Sequence, residues 1–174
     1  MALEKIVKTT FFQRIRRFLM GKEGPNLLTR VSVIAGSLIW LYLFAWQLMT
    51  FVSTMLIGNV HESGKLRSAF YNLGKTNYNL NDTVSALKMH SLIQIIIYLL
   101  ILASLILIWR KRKVGFLIYV VGNVASLFIT MVMMGWSYLL NEIPIFDFIL
   151  IGITTIYFSI GILLFYRKGK EELQ

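Results

Sequence analysis

Two histidines, His61 and His90, are the chain's whole supply of imidazole, and Glu62 and Asp82 are the carboxylates that lie near them in sequence. Such groups are the raw material of a metal site or of acid–base chemistry. Their spacing matches no recognised ligand motif, and metal sites are read from a fixed spacing of three or four ligands. Glu142 and Asp147 flank Pro144. As a pair they offer a cation site or a proton relay at a membrane surface. The simpler reading places Pro144 and Asp147 in the first turn of a helix, where proline sacrifices no hydrogen bond and a carboxylate meets the positive end of the helix dipole. There is no cysteine, hence no thiolate ligand, nucleophile or disulfide. Gly-rich phosphate loops, nucleophile elbows and zinc-protease helices are also absent from the sequence. No catalytic residue, metal ligand or cofactor is therefore expected, and the protein is not expected to be an enzyme.

The other chemically suggestive residues are uncharged and sit inside long apolar stretches. Gly122, Asn123, Ser126 and Thr130 recur at helical spacing in one stretch, and Gly152, Thr155 and Ser159 do so in another. Small residues let helix backbones approach, and amides and hydroxyls hydrogen-bond across the contact. These two faces are expected to pack on each other. Gln47 and Gln94 place two amides in two further stretches, where they would meet. The competing reading is a polar path for a solute, although ion and proton paths usually carry ionisable groups at depth and these stretches hold none.

The elements that must position these residues are membrane spans. The chain has 174 residues, 57% hydrophobic and 15% charged, with a mean hydropathy of +0.69. Soluble domains carry about 25% charged residues. Uncharged runs cover residues 31–57, 91–109, 114–140 and 148–166. A span needs about 20 apolar residues, and barrel strands would alternate polar and apolar positions, which these runs do not. The expected fold is an all-α integral membrane protein, a bundle of four transmembrane helices at 27–57, 91–109, 114–140 and 148–166. An outer loop at 58–90 and an outer turn at 141–147 join them on one side, and a basic turn at 110–113 joins them on the other.

Charge sets the expected orientation. The net charge is +10, from 18 Lys and Arg against 8 Asp and Glu. Basic residues cluster before the first span, in the turn Arg110, Lys111, Arg112, Lys113, and in the tail at 167–174. The outer loop holds only Lys65, Arg67, Lys75 and Lys88. The positive-inside rule then makes both termini cytoplasmic. The first apolar run is too long for a signal-peptide core and is expected to stay as an anchor. So basic a chain also suggests nucleic acid, but a mostly aliphatic composition excludes that class.

Residues 1–26 are expected to form a basic amphipathic helix and turn lying on the cytoplasmic leaflet. Arg14, Arg16 and Arg17, together with the basic turn at 110–113, would meet anionic lipid headgroups there. Within the outer loop, 62–73 suits a short helix, and Asn81 or Asp82 suits the N-cap of a helix that runs on into the second span. Phe70, Tyr71 and Tyr78 make this loop stickier than a connector requires, and they are expected to pack on the spans or on a partner.

Three functions fit these residues. The first is a non-catalytic accessory, assembly or stabilising subunit acting by association with protein partners or with copies of itself. The second is a small channel or carrier, lined by Gln47, Gln94, Asn123, Ser126 and Thr130. The third is a lipid-modifying enzyme using His61, Glu62, His90 or Asp147. A bacterial inner membrane is the expected setting.

Overall fold

The computed structural model describes residues 27–59 and 63–171. The expected interfacial helix, with Arg14, Arg16 and Arg17, lies outside the described residues, as do His61 and Glu62. Among the described residues the fold is all-helical: α1 (Leu27–Asn59), α2 (Ser63–Asn77), α3 (Thr83–Trp109), α4 (Lys113–Met134), α5 (Trp136–Glu142) and α6 (Ile145–Glu171). Three helices, over Thr29–Ile57, Thr83–Trp109 and Lys113–Met134, are long and apolar enough to cross a membrane. A fourth crossing follows if α5 and α6, bent by 101° at a short break, count as one broken span. These helices are compatible with a multi-pass membrane protein.

The helix carrying the second expected span starts at Thr83, eight residues before the uncharged run. Asp82 explains this: its backbone is extended, and its side chain accepts the Ser85 amide at 3.2 Å, satisfying one of the donors that a helix start leaves open. Arg67 of α2 reaches the same carboxylate at 3.4 Å and ties α2 to the start of α3. The turn to α4 is short. The amides of Arg110, Lys111 and Arg112 bond back to carbonyls of the last turn of α3, with Lys111 in the left-handed region at φ 58°.

The expected third span, 114–140, is not one helix. It breaks at Gly135, whose φ of 89° and ψ of 161° fall where side chains are scarcely tolerated, and α5 leaves in a new direction. A lone glycine inside an apolar run looks like any small span residue, so composition gave no sign of a corner. The expected fourth span, 148–166, is the middle of a longer helix that starts directly after Pro144. Helical hydrogen bonding continues past the apolar segment into its polar flanks.

α3 is the central helix, packed on α1 along one side and on α4 along another, and α4 in turn carries α6. The α3–α4 crossing is close because of Gly115: a Cβ there would sit 2.8 Å from both the Ile108 amide nitrogen and the Ser104 carbonyl oxygen. Ser32 and Tyr157 join α1 to α6 through their hydroxyls at 2.6 Å. Near the basic turn the interior is apolar. Ile101, Leu105 and Ile108 of α3, Phe116 and Tyr119 of α4, and Phe158 of α6 are buried together there.

Candidate functional site

In the other half of the molecule, toward α2, the interior turns polar. His90, Gln94 and Tyr98 follow one another at four-residue intervals on α3, and Ser126 and Thr130 do so on α4, so each set forms one stripe. The α3–α4 contact brings the stripes face to face. The Gln94 amide donates to the Ser126 carbonyl at 2.8 Å and to Thr130 Oγ1 at 3.0 Å. Its Oε1 accepts from Ser126 Oγ at 2.7 Å. Thr130 Oγ1 also lies 2.9 Å from His90 Nε2. The Thr130 hydroxyl gives its one hydrogen to the Ser126 carbonyl at 3.0 Å, so it accepts from His90 Nε2, and the imidazole carries a hydrogen on that nitrogen. Tyr98 Oη approaches Ser126 Oγ at 3.5 Å.

Beside this network lies a cavity of about 60 Å3, lined by Gln47, His90, Gln94, Tyr98, Ser126, Thr130, Tyr138, Glu142 and Asp147 among others. That is room for a few water-sized groups. Asp147 is 7% exposed, and its Oδ1 meets no partner among the described residues. The Tyr42 hydroxyl faces the same carboxylate. His90 is 4% exposed, so it is an interior group. A rim connects the cavity to the outside: Tyr138 stands edge-on to both His90 and Tyr78, and the Tyr78 hydroxyl donates to Glu142. That carboxylate is the main reason the Tyr78 phenol is pushed up to about 12 from an ordinary 10.0.

The structure thus gathers Gln47, Gln94, Ser126 and Thr130 around one cavity, and it adds His90, Tyr98, Tyr138 and Asp147. The expected α4–α6 contact is carried by Asn123, whose amide donates to Thr155 Oγ1 at 3.3 Å. Ser126 and Thr130 face α3 instead, because Gly115 draws the two helices together. Gly122 does so too: a Cβ there would lie 2.8 Å from the Ile101 side chain. Gly152 faces open space, with nothing within 4 Å of an added Cβ, and Ser159 bonds the Thr155 carbonyl of its own helix. In the loop, Phe70 lines a small cleft with Trp46, Val84 and Leu87, and Tyr78 is engaged with Glu142 and Tyr138. Tyr71 is exposed beneath Lys75. Arg110, Lys111, Arg112 and Lys113 are exposed at the turn.

What reading along the sequence missed is that His90 and Asp147 join the amides. The four-residue repeat from His90 to Tyr98 was a usable signal; the approach of Asp147, 57 positions further along the numbering from His90, had none. No group of three or more His, Cys, Asp or Glu suited to a metal ion exists among the described residues. Comparison with protein-family models, with curated proteins and with solved structures found no match.

Proposed function

We propose that the protein is a four-span membrane protein with both termini cytoplasmic, working by association as an accessory or stabilising subunit. The observation that carries this reading is the surface of α2. This helix is not among the apolar segments able to cross a membrane. It nevertheless exposes Leu66 by 57%, Leu73 by 50% and Tyr71 by 39%. Leu66 and Leu73, seven residues apart, share one face of α2, and Tyr71 stands on another; outside lipid, exposed aliphatic and aromatic side chains of this kind suit a protein contact. Lipid accounts for the apolar faces of α1 and α6, but not for this one. Interior chemistry adds support: the polar stripes satisfy each other, and the half near the basic turn is sealed by Ile101, Leu105, Ile108, Phe116 and Phe158. The test is purification in mild detergent followed by mass measurement. The expected result is a complex with a partner protein or with further copies of this chain, lost when Leu66, Tyr71 and Leu73 are all changed to Ser. Recovery of a lone monomer across several mild detergents would count against the reading.

The cavity favours a second reading, a carrier for a small polar solute or cation that would enter past Glu142 and rest on Asp147. Flux in reconstituted liposomes that is abolished by Asp147→Asn would establish it. Flux at the level of empty liposomes would remove it.

A further inference from the structure

The polar cavity enclosed by α1, α3, α4 and the α5–α6 corner has an unbalanced charge. Asp147 is buried, and its Oδ1 meets no partner among the described residues. Glu142 is the other carboxylate on the cavity, and neither Lys nor Arg is among the residues that line it. The Tyr42 hydroxyl faces Asp147 but brings no charge. The start of α6 brings some, since a helix N-terminus is equivalent to about half a positive charge. About half a negative charge is left over by the same measure. An interior carboxylate without full compensation is costly.

The surroundings are rich in acceptors. Gln47 of α1, Tyr98 of α3 and Tyr138 of α5 bring side-chain oxygens to the same space. Ser126 gives its hydrogen to Gln94 Oε1, so Tyr98 donates in its contact with Ser126 and keeps lone pairs to offer. His90 uses its Nε2 hydrogen on Thr130, and a neutral ring then presents a lone pair on Nδ1. α5 ends at Glu142, and the last carbonyls of a helix have no partner within it. Glu142, Ile143 and Pro144, at the corner where the helices bend by 101°, line the cavity. In transporters, helices broken in this way use freed carbonyls to hold small cations. Size and charge narrow the class. About 60 Å3 takes roughly four water-sized spheres, enough for a metal ion with one or two waters and too little for an organic ammonium. A single buried carboxylate, with Glu142 exposed on the rim and engaged by Tyr78, matches one positive charge.

We propose that this cavity binds one monovalent metal cation, of the sodium or potassium class, against the Asp147 carboxylate, with oxygens of Gln47, Tyr98 and Tyr138 in its shell. The bound ion joins α6 to α1 at the end of those helices opposite the Ser32–Tyr157 contact. The assignment rests on the carrier reading in using the same cavity, but it requires binding and not transport.

The experiment uses the full chain in uncharged detergent, with radiolabelled sodium and with radiolabelled rubidium standing for potassium, over a background of N-methylglucamine chloride. At least one of the two should bind saturably at one ion per chain, and Asp147→Asn should abolish it. Gln47→Leu keeps the carboxylate and removes one neutral ligand, so affinity should fall about tenfold; this variant serves if Asp147→Asn does not fold. Thermal unfolding is the second measurement. At a concentration tenfold above the dissociation constant, the cation should raise the folded-to-unfolded ratio about elevenfold over N-methylglucamine chloride at equal ionic strength. Binding of neither ion overturns the proposal. So does affinity unchanged in Asp147→Asn or in Gln47→Leu, which marks attraction to surface charge. Stability indifferent to the choice of cation also overturns it, and means that a proton on Asp147 or His90 balances the charge. A bound cation with no flux in liposomes keeps the site and removes the carrier reading.

Discussion

Gln94 is the residue on which the polar half of the interior turns, because its one amide spans both turns of α4 that carry Ser126 and Thr130. Hydrogen bonds between membrane helices average about 0.6 kcal/mol and reach about 1.7. Replacing Gln94 by Leu removes its bonds to the Ser126 carbonyl, Thr130 Oγ1 and Ser126 Oγ, and leaves Thr130 bonded to His90 and to the Ser126 carbonyl. We expect Gln94→Leu to destabilise the protein by about 1–2 kcal/mol in thermal unfolding in detergent, with less than additive loss when Ser126→Ala is combined with it. A variant as stable as the wild type would mean that the network is not holding α3 to α4. At the rim, the Tyr78 phenol titrates near 12 in place of 10.0 because Glu142 accepts its hydrogen. The folded protein therefore holds this proton more tightly than the unfolded chain. Its contribution is complete below about pH 10 and disappears as pH rises through about 12. Stability relative to Tyr78→Phe should decline over that window, and the phenolate absorbance lost in Tyr78→Phe should be the part that rises near pH 12. Absorbance lost near pH 10 instead would show that Tyr78 is free of Glu142.

Between elements, glycines decide which helices touch. Gly115 and Gly152 lie in similar apolar runs and are indistinguishable by composition, yet one abuts the backbone of α3 and the other faces empty space. Gly115→Ala must push apart two backbones, and overpacking of this kind costs about 1–3 kcal/mol. Gly152→Ala should leave the isolated protein's unfolding unchanged within about 0.5 kcal/mol or raise its stability slightly, as expected for a helical glycine with room beside it. Thermal unfolding of the two variants side by side checks the assignment, and equal effects would contradict it. The elements themselves were largely legible in advance. Helices over the uncharged runs follow from the need to satisfy backbone groups in lipid, and the Asp82 cap follows from side-chain chemistry. The corner at Gly135 was not legible. It exists because α5 turns to bring Tyr138 and Glu142 against His90 and Tyr78, and those contacts join residues far apart in the chain.

For the molecule as a whole, orientation is the sharpest consequence of the charge pattern. The chain lacks cysteine, so single cysteines can be introduced without a background. An impermeant maleimide added to intact cells should label Ser68→Cys on α2 and leave Lys111→Cys in the basic turn unlabelled until the cells are opened. The reverse pattern, or equal labelling of both, would break the proposed topology. Apolar length, basic clusters and the Asp82 cap are properties of consecutive residues, so the sequence by itself determined an all-helical, span-rich chain and the flanks of its helices. Which polar residues meet is a property of helix pairing, and only the tertiary structure decided it. The Gly115 crossing, the Gly135 corner and the start of α6 at Pro144 together carry His90, Gln94, Ser126, Thr130 and Asp147 to one cavity. Helical periodicity states which way a residue faces along its own helix; it holds no information about which helix stands opposite.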